Sequence, residues 1–320
     1  MGRLEIGTET LVDKSKSTKT ILMDLFRPNT DIEGATIVNA CYGGTAALLN
    51  AFSWVESDGW DGRFAIVVAA DIAAYARGPA RPTCGVGAVA VLIGRDAPLK
   101  FNPRERATHA ANVWDFFKPD HTVEYPTVDG ALSQTCYYQA LEGCYMRLAD
   151  KIDSNTTAIA TTTSNDDDED ASCFDAESAD YLVFHAPYNK LVQKSYARLY
   201  FLDARRACAR STNTPQSTDD DTHNHSPLAE WVSKPINQTY TDRGLDGALK
   251  KISSASFQQR LSDANVASKE IGNTYTASVF VGLASLIDRV GGRGELTVGK
   301  NIVVFSYGSG ALATMYRLHV

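Results

Sequence analysis

Apolar and polar positions along the chain alternate in blocks that predict an α/β protein. Ala35-Thr36-Ile37-Val38-Asn39-Ala40 reads as a short buried strand, because β-branched residues are bounded by turn formers. Cys41-Tyr42-Gly43-Gly44 then forms a turn, and Thr45 to Glu56 carries apolar residues at helical spacing until Asp58-Gly59. Phe64 to Ala70 and Val86 to Ile93 are unbroken apolar runs, the pattern of strands covered on both faces. Further along, the pattern predicts a helix over Gly130 to Lys151 and a buried strand at Tyr181-Leu182-Val183-Phe184 leading to His185. It continues with helices over Asn189 to Arg210 and Tyr275 to Val290, then strands at Asn301 to Ser306 and Ala311 to His319. The like-charge run Asn165 to Asp170 and the polar stretch Ser211 to Ser226 read as solvated loops.

A faint repeat runs through this order. Gly85-Val86-Gly87-Ala88-Val89-Ala90 resembles Gly308-Ser309-Gly310-Ala311-Leu312-Ala313, and each follows an Ile-Val-Val strand. Each half also has an apolar helix opened by a polar turn, at Cys41 and at Asn273. Two copies are too few for a solenoid, so duplicated α/β halves packed face to face are expected, with a site where helix N-termini meet. Gly85-x-Gly87 precedes its strand and lacks a third glycine, which removes a dinucleotide fingerprint.

Composition narrows the function class. A chain of 320 residues is one large domain or two small ones, and 44% apolar with 22% charged residues is ordinary for a globular protein. A net charge of −7 without a basic stripe argues against a nucleic-acid partner. No run approaches a membrane-spanning length. The six cysteines are scattered without metal-type spacing, which suits free thiols in an intracellular protein. His223 and His225 lie in a polar run that favours a solvated loop over a metal site, and no metal is expected. Met1 to Ile6 offers neither a signal core nor a myristoylation site.

Cys41 is the residue whose surroundings point to chemistry. A helix start favours a thiolate and is expected to depress the thiol's pKa, and the following glycines let a substrate approach the backbone. These features favour a nucleophile over a buried, inert thiol. His185 ends a strand and is expected to project into a cleft, although a satisfied core histidine fits the same pattern. On its own, Glu9 in Gly7-Thr8-Glu9-Thr10 reads as a surface carboxylate, and Asn273, Ser306 and Ser309 read as caps at turns.

Taken together, four stretches resemble the 3-hydroxy-3-methylglutaryl-CoA synthase family of the thiolase superfamily. They are Arg3-Leu4-Glu5-Ile6-Gly7-Thr8-Glu9-Thr10, Asn39-Ala40-Cys41-Tyr42-Gly43-Gly44-Thr45-Ala46-Ala47, Phe184-His185-Ala186-Pro187-Tyr188 and Phe305-Ser306-Tyr307-Gly308-Ser309-Gly310. The likeness covers nearly all of the chain outside the two polar stretches and is of the eukaryotic type. It implies a five-layered αβαβα fold made of two similar halves, here residues 1–165 and 166–320, the second with polar insertions near 165–175 and 211–226. It also implies a homodimer acting on CoA thioesters, without a cofactor, a nucleic acid or a membrane. Cytoplasmic residence is expected, with a mitochondrial address left open.

By the same resemblance Cys41 is the nucleophile, Glu9 the general acid/base and His185 the partner of the acetoacetyl group. Asn273, Asp71, Tyr75, Thr83, Asp115 and Phe116 fall at cleft positions. Ser309 supplies an oxyanion-hole N–H together with that of Cys41, and Lys190 and Lys194 meet the CoA phosphates or pantetheine. The expected reaction runs through an acetyl-Cys41 thioester, whose enolate adds to acetoacetyl-CoA. Departures temper the likeness. Family members carry several dozen residues ahead of the Gly-Thr-Glu-Thr loop and continue past the last strand, and Cys84 stands where glycine is usual. The N-terminal half is therefore expected to be incomplete, and residues 1–320 to express as an unstable or aggregating protein with little condensation activity. The alternatives are another thiolase-superfamily condensing enzyme and a non-catalytic fragment or binding subunit.

Overall fold

The computed structural model describes residues 1–162, 173–213 and 227–320. The predicted loops at Asn165 to Asp170 and, from 214 onward, Ser211 to Ser226 lie outside the described residues, as do His223 and His225. The chain opens with β1 (Arg3–Thr8), α1 (Thr18–Leu22), β2 (Thr36–Val38), α2 (Gly43–Val55), β3 (Ala65–Ala73) and β4 (Gly85–Ile93). The middle contains β5 (Lys100–Ala110), a small hairpin of β6 (Phe116–Phe117) and β7 (Thr127–Val128), α3 (Gly130–Thr162), β8 (Tyr181–Phe184) and α4 (Asn189–Asn213). Last come α5 (Ala229–Val232), α6 (Arg243–Arg260), α7 (Val266–Ile271), α8 (Ser278–Leu286), β9 (Asn301–Gly308) and β10 (Leu312–His319).

Among the described residues, strands β1–β5 and β8–β10 form two four-stranded sheets in the orders β2-β1-β3-β4 and β5-β10-β9-β8. Each contains a parallel pair followed by an antiparallel strand: β1 beside β3 and then β4, β8 beside β9 and then β10. The faint repeat marks the entry to that antiparallel strand in each half. Helices α2 and α8 lie between the sheets, where Ala47, Leu48, Ala51 and Phe280 share one core with Val67 and Ala69 of the first sheet and Val183 and Val304 of the second. Helices α3 and α4 cover the far face of the second sheet through Tyr137, Leu141, Leu199, Phe305 and Met315. Residues around α1, with Ile32, cover part of the far face of the first sheet through Leu4 and Ile6. The layers therefore run α, β, α, β, α.

Three expectations need correction. β2 is an edge strand with Val38 54% exposed, because it pairs with β1 on one side only. β3 and β4 are not covered on both faces: their burial alternates, and Ile72, Val86 and Leu92 are exposed. The change from one sheet to the other falls between Ile93 and Lys100, not near residue 165, because β5 pairs with β10 some 200 residues later in sequence. The polar residues of β5, among them Arg104, Glu105 and Arg106, hid it from the apolar pattern; Glu105 instead takes both nitrogens of an Arg317 fork across the sheet. β1 and α6 were likewise absent from the prediction, α6 being opened by Asp242, whose carboxylate caps Leu245 N–H at 3.0 Å.

The exposed apolar residues of β4 lie beside a strand edge that is unpaired among the described residues, a template for association. The chain is therefore expected to self-associate. Substituting Val86→Glu and Leu92→Glu together should lower the apparent mass in size-exclusion chromatography; an unchanged elution profile would show that this edge is not the sticky surface.

Candidate active site

The centre of the molecule is where α2 and the turn before α8 meet nose to nose. A Cβ on Gly7 of β1 would fall inside the backbone of Gly43 and Gly44, and one on Gly44 would meet Ala69, Phe280 and Thr276. Only glycine lets the strand, the helix start and the opposing turn approach so closely. Gly44 N–H donates to Thr276 Oγ1, and Thr45 Oγ1 donates to Ser306 Oγ at 2.7 Å, so first-half groups bond directly to second-half groups.

Cys41 lies in the turn between β2 and α2 with φ 57°, a left-handed conformation that costs a non-glycine residue about 1–2 kcal/mol. Glu9 helps to hold it there: Cys41 N–H donates to Glu9 Oε2 at 2.8 Å, and Cys41 Sγ lies 3.8 Å from the same oxygen. Gly308 at the end of β9 presses against this turn, leaving no room for a Cβ beside Ala40 O and Tyr42. Ser309 follows immediately. Around Cys41 pack Ala73, Tyr275, Tyr75 and Phe116, with Phe116 and Tyr75 edge-on to the Tyr275 ring.

The carboxylates are buried and differ in task. Asp71 Oδ1 accepts from Thr8 Oγ1, Glu9 N, Thr10 N and Thr10 Oγ1 at 2.8–2.9 Å, and Oδ2 accepts from Thr276 N at 3.0 Å. It was expected at a cleft position, yet its oxygens are taken by the loop that carries Glu9, so it supports that loop. Asp115 likewise turns inward, accepting from Tyr307 O–H and Gly310 N–H at 3.1 Å, and so fastens the small hairpin to the β9–β10 turn. Burial first, and the Asp71 charge second, push Glu9 up to about 7. Burial foremost, then the charges of Glu9 and Asp71, hold the Cys41 thiol well above its ordinary value. The expected depression by the helix start is overturned, because α2 begins beyond Cys41 and burial and the nearby negative charges disfavour a thiolate. The Cys41 N–H, expected in the oxyanion hole, is engaged by Glu9 here.

His185 follows β8 and is 1% exposed. Burial lowers its pKa to about 3, so the ring is neutral, and Nδ1 has no hydrogen-bond partner among the described residues. Its backbone is pinned by Tyr137 O–H donating to His185 O at 2.7 Å, and by its own N–H donating to Phe305 O at 2.8 Å. The rings of Tyr137 and Tyr307 lie beside the imidazole. Asn273 donates from Nδ2 to Tyr75 Oη at 3.3 Å, and its N–H donates to Thr83 O at 2.9 Å, which brings these three together. Lys190 and Lys194 are exposed on the first turns of α4, at a separate groove of about 530 Å³ between α4 and α6, where Lys194 pairs with Asp246 at 2.6 Å. Three neighbours were not foreseen as site residues: Lys118, Tyr275 and Thr276. The only signal for Lys118 was its place in Trp114-Asp115-Phe116-x-Lys118.

A two-sheet αβαβα fold with a buried cysteine at the meeting of two helix starts defines a thiolase-like protein. Residues 1–98 match the family model described as hydroxymethylglutaryl-coenzyme A synthase N terminal, and residues 99–320 match its C-terminal counterpart. The chain belongs to the hydroxymethylglutaryl-CoA synthase family. It is 47% identical to the cytoplasmic hydroxymethylglutaryl-CoA synthase of Homo sapiens and 43% identical to synthase A of Dictyostelium discoideum. All of the chain is aligned in both comparisons, but it spans only 58% and 61% of those relatives' lengths. A solved structure of MvaS in complex with 3-hydroxy-3-methylglutaryl coenzyme A superimposes with a TM-score of 0.77 at 28% identity, over 100% of this chain and 67% of that one.

Glu9 carries a measurable consequence. A carboxyl group raised from 4.5 to about 7 in the folded state contributes stability below pH 4.5 that is lost as pH rises through about 7. Relative to Glu9→Gln, the unmodified chain is expected to lose on the order of 3 kcal/mol across that window. Denaturant melts of both proteins at pH 5 and pH 8 test this, and parallel pH profiles would refute it.

Proposed function

We propose that this chain carries the condensing centre of a hydroxymethylglutaryl-CoA synthase, joining acetyl-CoA to acetoacetyl-CoA through an acetyl-Cys41 intermediate. The observation that carries the reading is the pairing of Cys41 Sγ with Glu9 Oε2 at 3.8 Å, within a family defined by this condensation. Cys41 attacks the acetyl thioester, and CoA leaves with the thiol proton. Glu9, poised near neutrality, removes a proton from the acetyl methyl group. The enolate carbon bonds to the ketone carbon of acetoacetyl-CoA, whose oxygen becomes an alkoxide and takes up the proton that Glu9 removed, returning Glu9 to its carboxylate. A neutral His185 can donate an N–H to that oxygen without carrying charge into the apolar interior. Water then cleaves the Cys41 thioester, giving 3-hydroxy-3-methylglutaryl-CoA and a free thiol. These steps balance without a metal or redox group.

Ser309 N–H is the oxyanion donor in this reading, and Asn273, Tyr75, Thr83 and Phe116 shape the acyl cleft beside Cys41. Lys190 and Lys194 meet the CoA phosphates or pantetheine, for which Lys194 gives up Asp246. Homodimerisation belongs to the proposal and is supported by the unpaired β4 edge. Cytoplasmic residence belongs to it too, supported by the cytoplasmic human relative at 47% identity, beside a mitochondrial human one at 44%.

Mass spectrometry after incubation with acetyl-CoA is expected to show one acetyl group on Cys41 and none in Cys41→Ala. An acetyl group on Cys84 or Cys136 would overturn the assignment, and no adduct at all would favour a non-catalytic binding subunit. Glu9→Ala is expected to acetylate normally while losing condensation by roughly 10²–10⁴-fold. Equal loss of both steps would mean that Glu9 serves the fold instead.

A further inference from the structure

Glu9 has two oxygens, and the two halves of the molecule hold one each. Oε2 accepts from Cys41 N–H, as described. Oε1 faces Lys118 Nζ at 3.3 Å. Lys118 follows β6 in the small hairpin that Asp115 fastens to the β9–β10 turn, so its charge arrives from the second half while Glu9 sits in the first. Its placement is over-determined. The ammonium donates to Glu124 Oε2 at 3.0 Å and lies 5.5 Å from the centre of the Tyr275 ring, the ring that also packs against Cys41. The side chain is only 18% exposed, so solvent screens the pair weakly.

We propose that Lys118 is a positioning residue for Glu9, its ammonium holding the carboxylate as an anion aimed at the Cys41 acyl position. This rests on the reading of Glu9 as the base that makes the enolate. The groups facing Glu9 are Asp71 from β3, Cys41 from the β2–α2 turn, Tyr75 after β3, Tyr275 before α8 and Lys118. Of these Lys118 alone is a cation. Asp71 and burial both favour a protonated Glu9, so Lys118 is the group whose charge opposes them. Burial works against the ammonium as well, but Glu9 and Glu124 outweigh it and keep Lys118 charged.

Infrared difference spectroscopy on the full 320-residue chain, with Glu9→Gln assigning the carboxyl band, reads Glu9 protonation directly. The midpoint is expected near 7 in the unmodified chain and about one to three units higher in Lys118→Met, which keeps the stem over Tyr275 but removes the charge. Lys118→Arg is expected to restore the lower midpoint. Deuterium uptake into the methyl of acetyl-Cys41 at pH 7 should fall at least about fivefold in Lys118→Met and recover at higher pH, with Cys41 acetylation unchanged. A midpoint unmoved in Lys118→Met overturns the proposal, as does a loss of exchange that no pH restores. Absence of acetylation in the unmodified chain overturns the proposed function instead, and the infrared midpoint still decides the role of Lys118.

Discussion

Asp71 is the carboxylate on which the centre of the molecule depends. Three consecutive residues of one loop, Thr8 to Thr10, and the N–H of Thr276 from the other half all converge on its two oxygens. A buried carboxylate is costly unless its lone pairs are filled, and these donors fill them. The arrangement fixes where Glu9 can be, since Glu9 is bracketed by residues whose backbone and hydroxyl groups point at Asp71. It also ties β3 to the turn that opens α8. The position of the candidate base and the docking of the two halves thus have a common origin.

Packing makes that convergence attainable. Gly7, Gly43, Gly44 and Gly308 bring backbone against backbone where any side chain would separate the layers. As a result the β2–α2 turn is squeezed between β1 and the end of β9, and Cys41 is held in a left-handed conformation by its neighbours and by Glu9. Such a turn is strained locally and stable only because the surroundings leave no alternative.

The electrostatics follow from the same burial. Water is excluded from Glu9, Cys41 and His185, so each prefers its neutral form more than it would in solution. A neutral histidine suits an acyl site, but a neutral glutamate does not suit a base, and a raised thiol must give up its proton as it attacks. The structure contains the correction in Lys118, the cation at the carboxylate's other oxygen.

Much of this was legible in the residues themselves. The strand–turn–helix around Cys41, the buried strand before His185 and the paired strands near the end follow from apolar periodicity and glycine placement, which are local properties. The resemblance pointed to the same family as the later comparisons, and three of its four short stretches contain the close-packed glycines or the donors to Asp71 at the centre of the molecule. The alternating exposure of β3 and β4, the membership of β5 in the second sheet and the elevated Cys41 thiol were not legible. Each depends on what lies across a layer: which strand is a sheet edge, which partner arrives 200 residues later, which carboxylates face a sulfur. Asp71 and Lys118 show the division best. The sequence alone marks both as charged residues near a motif, and only the fold decides that one is enclosed by donors and the other by anions.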